Sequence, residues 1–405
     1  MQPLRLSVST IQDFKACPLR HLYRKEYGLQ PIREKDSTRI GKIWHRCHEI
    51  LEMIPQGRCP DCFKQEELQP DCYLCQGTGV LPTDLMDAVV RYLNVTYAEV
   101  PEGKTHDQWE TERIIVFYSL SGYCWLFPDY HKRFKSIANE IWFEIPIFNP
   151  DTGKKMSKAV EVGKVDGIIQ DVNTGLYYIK ERKSTSWSIE GTKYWDRLKV
   201  DSQITDYLRA ARIYQIAGRL EKFGIMRDEP LIQGIWYDVW RKPEIAPKKL
   251  SQADSKKFME TGEYFGENFD VNDGTIPPFD DNTIRIKGVP ISIIPGAKEG
   301  TFSIFETPEM FGARLLSDVA ERPDFYFVQR EIPRTDQQIE KFEQELFNQA
   351  QIMRFTKEKG LWTSSDRACE VPFRCDFKDI CYAGIELGPD DVPEGFEKYE
   401  KGKNG

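Results

Sequence analysis

Two runs of strand-forming residues, 158–171 and 176–183, meet at Asp171-Val-Asn-Thr-Gly175, a turn signal. No other feature constrains the fold as much, because an antiparallel register fixes which side chains meet. If Val172 pairs with Gly175 across a two-residue loop, Asp166 falls opposite Glu181. A bulge would shift that register by one. Glu181 and Lys183 are two apart on a strand and share a face. The hairpin therefore gathers two carboxylates and an ammonium. Two carboxylates can hold a hard divalent cation such as Mg²⁺ or Mn²⁺, with water and phosphate as further ligands. The lysine can then orient or help deprotonate an attacking water, or stabilise charge on a phosphoryl group. The bland alternative is a charged, exposed hairpin. Val and Ile in the first strand, and Tyr and Ile in the second, argue for at least one buried face.

Further motifs flank the hairpin. Asp201–Arg212 reads as a helix with Gln203 and Tyr207 on one face. Tyr207 also borders Ile204, Leu208 and Ala211, which is the pattern of a core stripe. Upstream, Gly41-Lys-Ile-Trp-His45 lies in a helix expected over 39–54, with His48 as an alternative to His45 on nearly the same face. The chain opens with Leu6-Ser-Val-Ser-Thr-Ile-Gln-Asp-Phe-Lys-Ala-Cys-Pro18, and Cys369, Cys375 and Cys381 lie near its other end.

In this order the motifs resemble the PD-(D/E)xK nuclease superfamily, in particular its RecB-like and CRISPR-associated members, over residues 6 to 381. The resemblance implies a metal-dependent DNA nuclease, often an exonuclease at DNA ends. Asp166 and Glu181 would hold Mg²⁺ or Mn²⁺ with His45 assisting, and Lys183 would position the attacking water. Gln203 and Tyr207 would aim at the substrate backbone or at Lys183, and Glu144 is an accessory acid. Cys17, Cys369, Cys375 and Cys381 would hold a [4Fe–4S] cluster, although Cys369 precedes Cys375 by six positions where the family more often has Cys-x-x-Cys. Zinc in the same positions, or buried thiols, are the alternatives. The implied partners are DNA, single-stranded or with free ends, and a recombination, helicase or replication protein. The implied settings are recombination, repair, phage replication or spacer acquisition. The alternative of another class is a catalytically silent DNA-binding scaffold acting through partners.

Cys59-Pro-Asp-Cys62 and Cys72-Tyr-Leu-Cys75-Gln-Gly-Thr-Gly79 form the strongest local signal. Two such knuckles place four thiolates tetrahedrally, as structural Zn²⁺ requires. The second resembles one Cys-x-x-Cys-x-Gly-x-Gly unit of the DnaJ-type zinc ribbon, whose glycines let backbone N–H groups approach sulfur. The segment is too poor in apolar residues to fold by burial, so metal would stabilise it. It reads as an insertion apart from the hairpin, docking DNA or a partner. Cys47 and Cys124 read as buried core thiols.

The element order of helix, three strands, helix and strand fits an α/β fold, a mixed central sheet flanked by helices. It agrees with the restriction-endonuclease-like core that the resemblance implies. The expected segments are N-terminal helices over 1–56, the inserted zinc knuckle over 57–82, the core with its cysteine cluster over 83–385, and a disordered tail over 386–405. Helices are expected at 9–27 with a Ser9/Gln12 capping box, at 83–99 capped by Thr83 or Asp84, and at 335–357 opening at Thr335. Residues 108–138 give no clear pattern, and 243–300 read as an excursion from the core. A net charge of −8 sits awkwardly with phosphate binding. Local basic groups occur at Arg20, Arg24 and Lys25, at Lys132, Arg133 and Lys135, at Arg197 and Lys199, and at Arg241, Lys242, Lys248 and Lys249, and each reads equally well as an ordinary solvated face. No apolar run spans a membrane and no secretory segment opens the chain, so a reducing, cytoplasmic setting is expected.

Overall fold

The computed structural model describes residues 3–64, 67–272, 285–286, 289–290, 292–370 and 374–399. Apart from short ladders within 263–304, its strands are β1 (Leu4–Leu6), β2 (Leu29–Pro31), β3 (Phe134–Phe148), β4 (Lys155–Asp171), β5 (Tyr177–Thr185), β6 (Gly234–Arg241), β7 (Phe327–Pro333) and β8 (Phe396–Lys398). Its longer helices are α1 (Val8–Ala16), α2 (Asp36–Leu51), α3 (Leu85–Thr96), α4 (His106–Leu126), α5 (Ser202–Ile216), α6 (Gln252–Thr261), α7 (Pro308–Glu321) and α8 (Asp336–Lys359).

The central sheet is mixed, in the order β1-β4-β5-β6-β7, with β3 also on β4. β3 follows one edge of β4 from Phe134–Asp171 to Phe148–Lys155. The other edge of β4 is shared. β5 pairs with Gly167–Gln170, and β1 pairs in parallel with Ala159–Glu161. Between these two partners β4 runs free along Val162–Asp166, so the sheet forks there.

Helices cover both faces. Ile204, Leu208 and Ala211 of α5 pack with Ile168, Ile179 and Val239 of the strands. On the other side Trp44 of α2 stacks on Trp240 of β6, centroids 4.1 Å apart, within a cluster that includes α3, α4 and Val319 of α7. The aromatic stretch 108–138 is thus α4 and the start of β3. Among the described residues no helix is long and apolar enough to cross a membrane.

Several caps follow the sequence. Asp84 caps α3, Asp201 caps α5, and Thr335 with Gln338 forms a capping box on α8. The helix expected over 9–27 is instead broken. α1 is capped by Ser7, whose Oγ accepts the Thr10 N–H at 3.2 Å, not by Ser9. It ends at Cys17, which is extended because Pro18 follows, and short helical turns continue to Glu26. The excursion after β6 has a core of its own, built from Leu250, Phe258, Phe302, Ile304 and Met310.

The disordered tail expected over 386–405 does not hold for 386–399. β8 pairs antiparallel with β2, the Tyr399 N–H donates to the Gly28 carbonyl at 3.0 Å, and Phe396 stacks on Phe377. One aromatic residue in a polar segment supplies the anchor that composition alone did not suggest. Residues 400–405 lie outside the described residues.

Candidate metal centre

The hairpin keeps the expected register but not the expected loop. Gly167 pairs with Lys180 and Ile168 with Ile179. The Asp171 N–H donates to the Leu176 carbonyl, closing a four-residue loop. Val172 turns its N–H to the Arg133 carbonyl, and the Asn173 N–H donates to the Asp171 carboxylate. The ladder ends at Gly167–Lys180, one step before Asp166 and Glu181. At the fork the Arg182 N–H, which would continue it, donates to Asp166 Oδ2 at 3.4 Å. Lys183 forms an ion pair with Glu181 Oε1. Glu181 is buried, and among the described residues its Oε2 has no hydrogen-bond partner. A buried carboxylate oxygen without a donor is an acceptor for a cation.

α2 crosses the strand at close range. A Cβ on Gly41 would stand 3.3 Å from Ser184 Oγ, so a small residue suits this crossing. One turn on, His45 Nδ1 lies 3.6 Å from Asp166 Oδ2. His48, the alternative ligand, is buried in edge-to-face contact with Trp44 and Tyr123, on the core side. From α5, Gln203 Nε2 donates to the Tyr207 hydroxyl at 2.9 Å and to Glu181 Oε1 at 3.4 Å. The fork thus brings together His45, Asp166, Glu181, Lys183, Gln203 and Tyr207. His45, Asp166 and Lys183 open onto a cleft of about 440 Å³. Its lining holds Lys42, Arg46, Lys164, Lys180, Arg182 and Lys183 against Glu49, Glu140 and Asp166. The lining is therefore net positive although the whole chain carries −8.

Electrostatics suit a cation-binding acid pair. Burial pushes the Glu181 carboxyl up to about 7, Lys183 opposing and Asp166 adding to the shift. Burial alone would lower the Lys183 ammonium, but Glu181 and Asp166 hold it above its ordinary value. Burial lowers the His45 imidazole, so it is neutral and able to ligate near neutral pH. Glu181 must shed its proton to take a cation. Its pKa lies above the unfolded value, so its contribution to the ion-free fold is full below about 4.5 and lost as pH rises through about 7. Cation binding runs the opposite way. Mn²⁺ affinity should fall about tenfold per pH unit below 7 and level off above it. Calorimetric titrations from pH 5.5 to 8.5 check this, and a flat profile would remove Glu181 from the ligand set.

Two groups escaped the sequence. Glu144, the expected accessory acid, is paired with Val162 and bound to Arg5 at 2.9 Å, away from the cleft. Glu140 lies there instead, between the Asn139–Gly167 and Ile141–Val165 pairs, with its carboxylate 2.5 Å from Lys164 Nζ. Its backbone is left-handed, φ 52°, a strained state for a non-glycine residue. Alternation along β3 does not distinguish two acids four residues apart. The second group is a buried network. Glu52, beyond the end of α2, binds Lys180 Nζ and Arg182 Nη1, and Arg182 Nε reaches Asp238, which accepts from the Tyr123 hydroxyl.

The four-cysteine knuckle closes as its spacing implies and could hold zinc. Cys59, Cys62, Cys72 and Cys75 are buried, and their sulfurs all lie within 4.8 Å of one another. Cys59–Cys72 and Cys62–Cys75 sulfurs are 3.7 and 3.5 Å apart. A zinc ion with bonds of about 2.3 Å sets tetrahedral sulfur separations of about 3.8 Å. Burial pushes the Cys75 thiol up, but the Gly79 N–H and the neighbouring thiols bring it down to about 7. Gly77 and Gly79 both have positive φ, 78° and 73°. The knuckle does not stand apart. Its cysteines and Leu74 pack with Ile43, Cys47 and Ile50 of α2 in the main core.

Cys47 is fully buried there, and Cys124 is half-buried at its margin. Cys17, Cys369 and Cys375 all lie near Cys381, whose thiol is raised by burial and then by these three neighbours. Among the described residues only the quartet of Cys59, Cys62, Cys72 and Cys75 closes to single-ion distances, so this second quartet, and His45 with Asp166 and Glu181, are more open. An iron–sulfur cube holds its thiolates farther apart than one ion does.

A family model for the PD-(D/E)XK nuclease superfamily matches residues 5–382. No curated protein matches the chain.

Proposed function

The chain belongs to the PD-(D/E)XK nuclease superfamily, whose members are generally metal-dependent nucleases, and from that premise we propose that its cleft hydrolyses DNA phosphodiester bonds, acting as an exonuclease on single strands or free ends. The observation that carries the reading is the unpartnered, buried Glu181 Oε2 beside Asp166 and His45 at the fork of the sheet. These three would hold Mg²⁺ or Mn²⁺. The ion supplies neutralising charge at the phosphoryl oxygens and acidifies the attacking water.

The rest falls to side chains. Lys183 keeps its proton and stands where it can orient that water or meet charge developing on phosphorus. Gln203 steadies Glu181 and is itself met by Tyr207. Lys42, Arg46 and Lys164 give the backbone a cationic path into the cleft. End-labelled single- and double-stranded DNA, incubated with Mn²⁺ or with chelator, tests the reading. Mn²⁺-dependent shortening from an end supports it. Intact DNA under every metal condition favours the silent scaffold.

Cys17, Cys369, Cys375 and Cys381 fit a [4Fe–4S] cluster in that the fold draws them to one place and sets Arg20 and Arg24 beside Cys375. Such a cluster would join the two ends of the domain, where Arg24 already bridges Asp13 and Asp376 at 2.9 and 2.8 Å. Cys17→Ser is therefore expected to bleach a brown, anaerobically prepared protein and to lower its melting temperature. Zinc in both quartets with no iron would rule the cluster out.

A further inference from the structure

Each Cys-x-x-Cys turn of the knuckle sends one side chain to the same guanidinium on α2. Arg46 Nη2 donates to Asp61 Oδ2 of the first turn at 3.1 Å. Its Nη2 and Nε donate to the Tyr73 hydroxyl of the second at 2.7 and 3.1 Å. That hydroxyl donates to Asp61 at 3.2 Å, and Arg46 Nη1 donates to Glu49 at 3.0 Å. Behind the turns, Arg91 of α3 donates to the Tyr73 and Leu74 carbonyls at 2.8 and 3.0 Å. The knuckle is therefore clamped between α2 and α3, and its four sulfurs lie within 4.8 Å of one another, where one metal ion could tie both turns together. Arg46 is adjacent in sequence to His45, and both line the cleft.

We propose that Arg46 is a positioning residue of the metal centre. It couples the zinc-loaded knuckle to α2, so that His45 stands against Asp166 only while both Cys-x-x-Cys turns are in place. The proposal rests on the nuclease reading and gives the knuckle a part in it beyond docking. A fork that meets two acceptors on separate turns cannot be replaced by a point charge, so Lys at this position should restore only part of the effect.

The test measures Mn²⁺ binding directly, from the paramagnetic resonance of the free ion, in full-length zinc-loaded protein. Arg46→Gln is expected to weaken Mn²⁺ binding about tenfold, as loss of a group that orients a ligand typically does, with zinc content unchanged. Arg46→Lys should fall between wild type and Arg46→Gln in Mn²⁺ affinity. In a His45→Ala background the same change should have no further effect, because Arg46 acts through His45. Tyr73→Phe removes a single hydroxyl, and it carries the test if Arg46→Gln fails to fold. Wild-type Mn²⁺ affinity in these folded variants, or a loss that adds fully to that of His45→Ala, would overturn the proposal. Wild-type protein that binds no Mn²⁺ would overturn the nuclease reading itself, and the proposal with it.

Discussion

Lys183→Ala is expected to slow DNA cleavage at saturating Mn²⁺ by a hundredfold or more while leaving the ion bound. The ammonium carries no ligand atom for a cation, so its loss spares the ligand set. Gln203 still donates to Glu181 Oε1 after Lys183 is gone, so the carboxylate stays in place to hold the ion. The chemical step, however, loses a fixed positive charge in a partly enclosed cleft, and such a group is commonly worth two to three orders of magnitude, roughly 3–4 kcal/mol. Asp166→Ala and Glu181→Ala should behave differently, losing Mn²⁺ binding and cleavage together. Calorimetry with Mn²⁺ beside single-turnover cleavage separates the two classes. Wild-type rates in either carboxylate variant would show that the fork is not the reactive centre.

Glu52→Ala is expected to cause the largest loss of stability, about 3–5 kcal/mol, because it leaves two buried cations without their shared partner. Glu52, Lys180 and Arg182 have side chains only 2 to 4 % exposed. Burial alone would raise the Glu52 carboxyl, but Arg182 and Lys180 bring it down to about 2. Its folded pKa thus lies below the unfolded value. The stability it contributes is present above about 4.5 and is lost as pH falls towards 2. A melting temperature several degrees lower at pH 7, with a narrower gap from wild type under strong acid, checks both parts. An unchanged melting temperature would mean that water or another acid replaces the carboxylate.

The contrast between these two sites explains what could be read from sequence. The hairpin was legible because it is local. Alternating residues and one turn set the register, and the four-residue loop reached the same pairing as the two-residue loop that was expected. His45 was legible through Gly41, whose missing side chain makes room for Ser184. The Glu52 network was not, since its ion pairs join residues 56 to 130 positions apart, and nothing local marks an acid beyond a helix end as buried. Glu140 was missed in favour of Glu144 because the β3–β4 register decides between them. The knuckle was legible as four converging cysteines and not as part of the core, because its anchors, Leu74 among the core residues and Arg46 and Arg91 on the neighbouring helices, carry no local pattern.

The most direct measurement is anomalous X-ray diffraction from crystals soaked in Mn²⁺ and collected near the manganese edge. A peak is expected at the fork of β4 and β5, within bonding distance of Asp166, Glu181 and His45, with separate zinc density among Cys59, Cys62, Cys72 and Cys75. A fork without manganese, in crystals that carry the ion elsewhere at pH 8, would contradict this expectation.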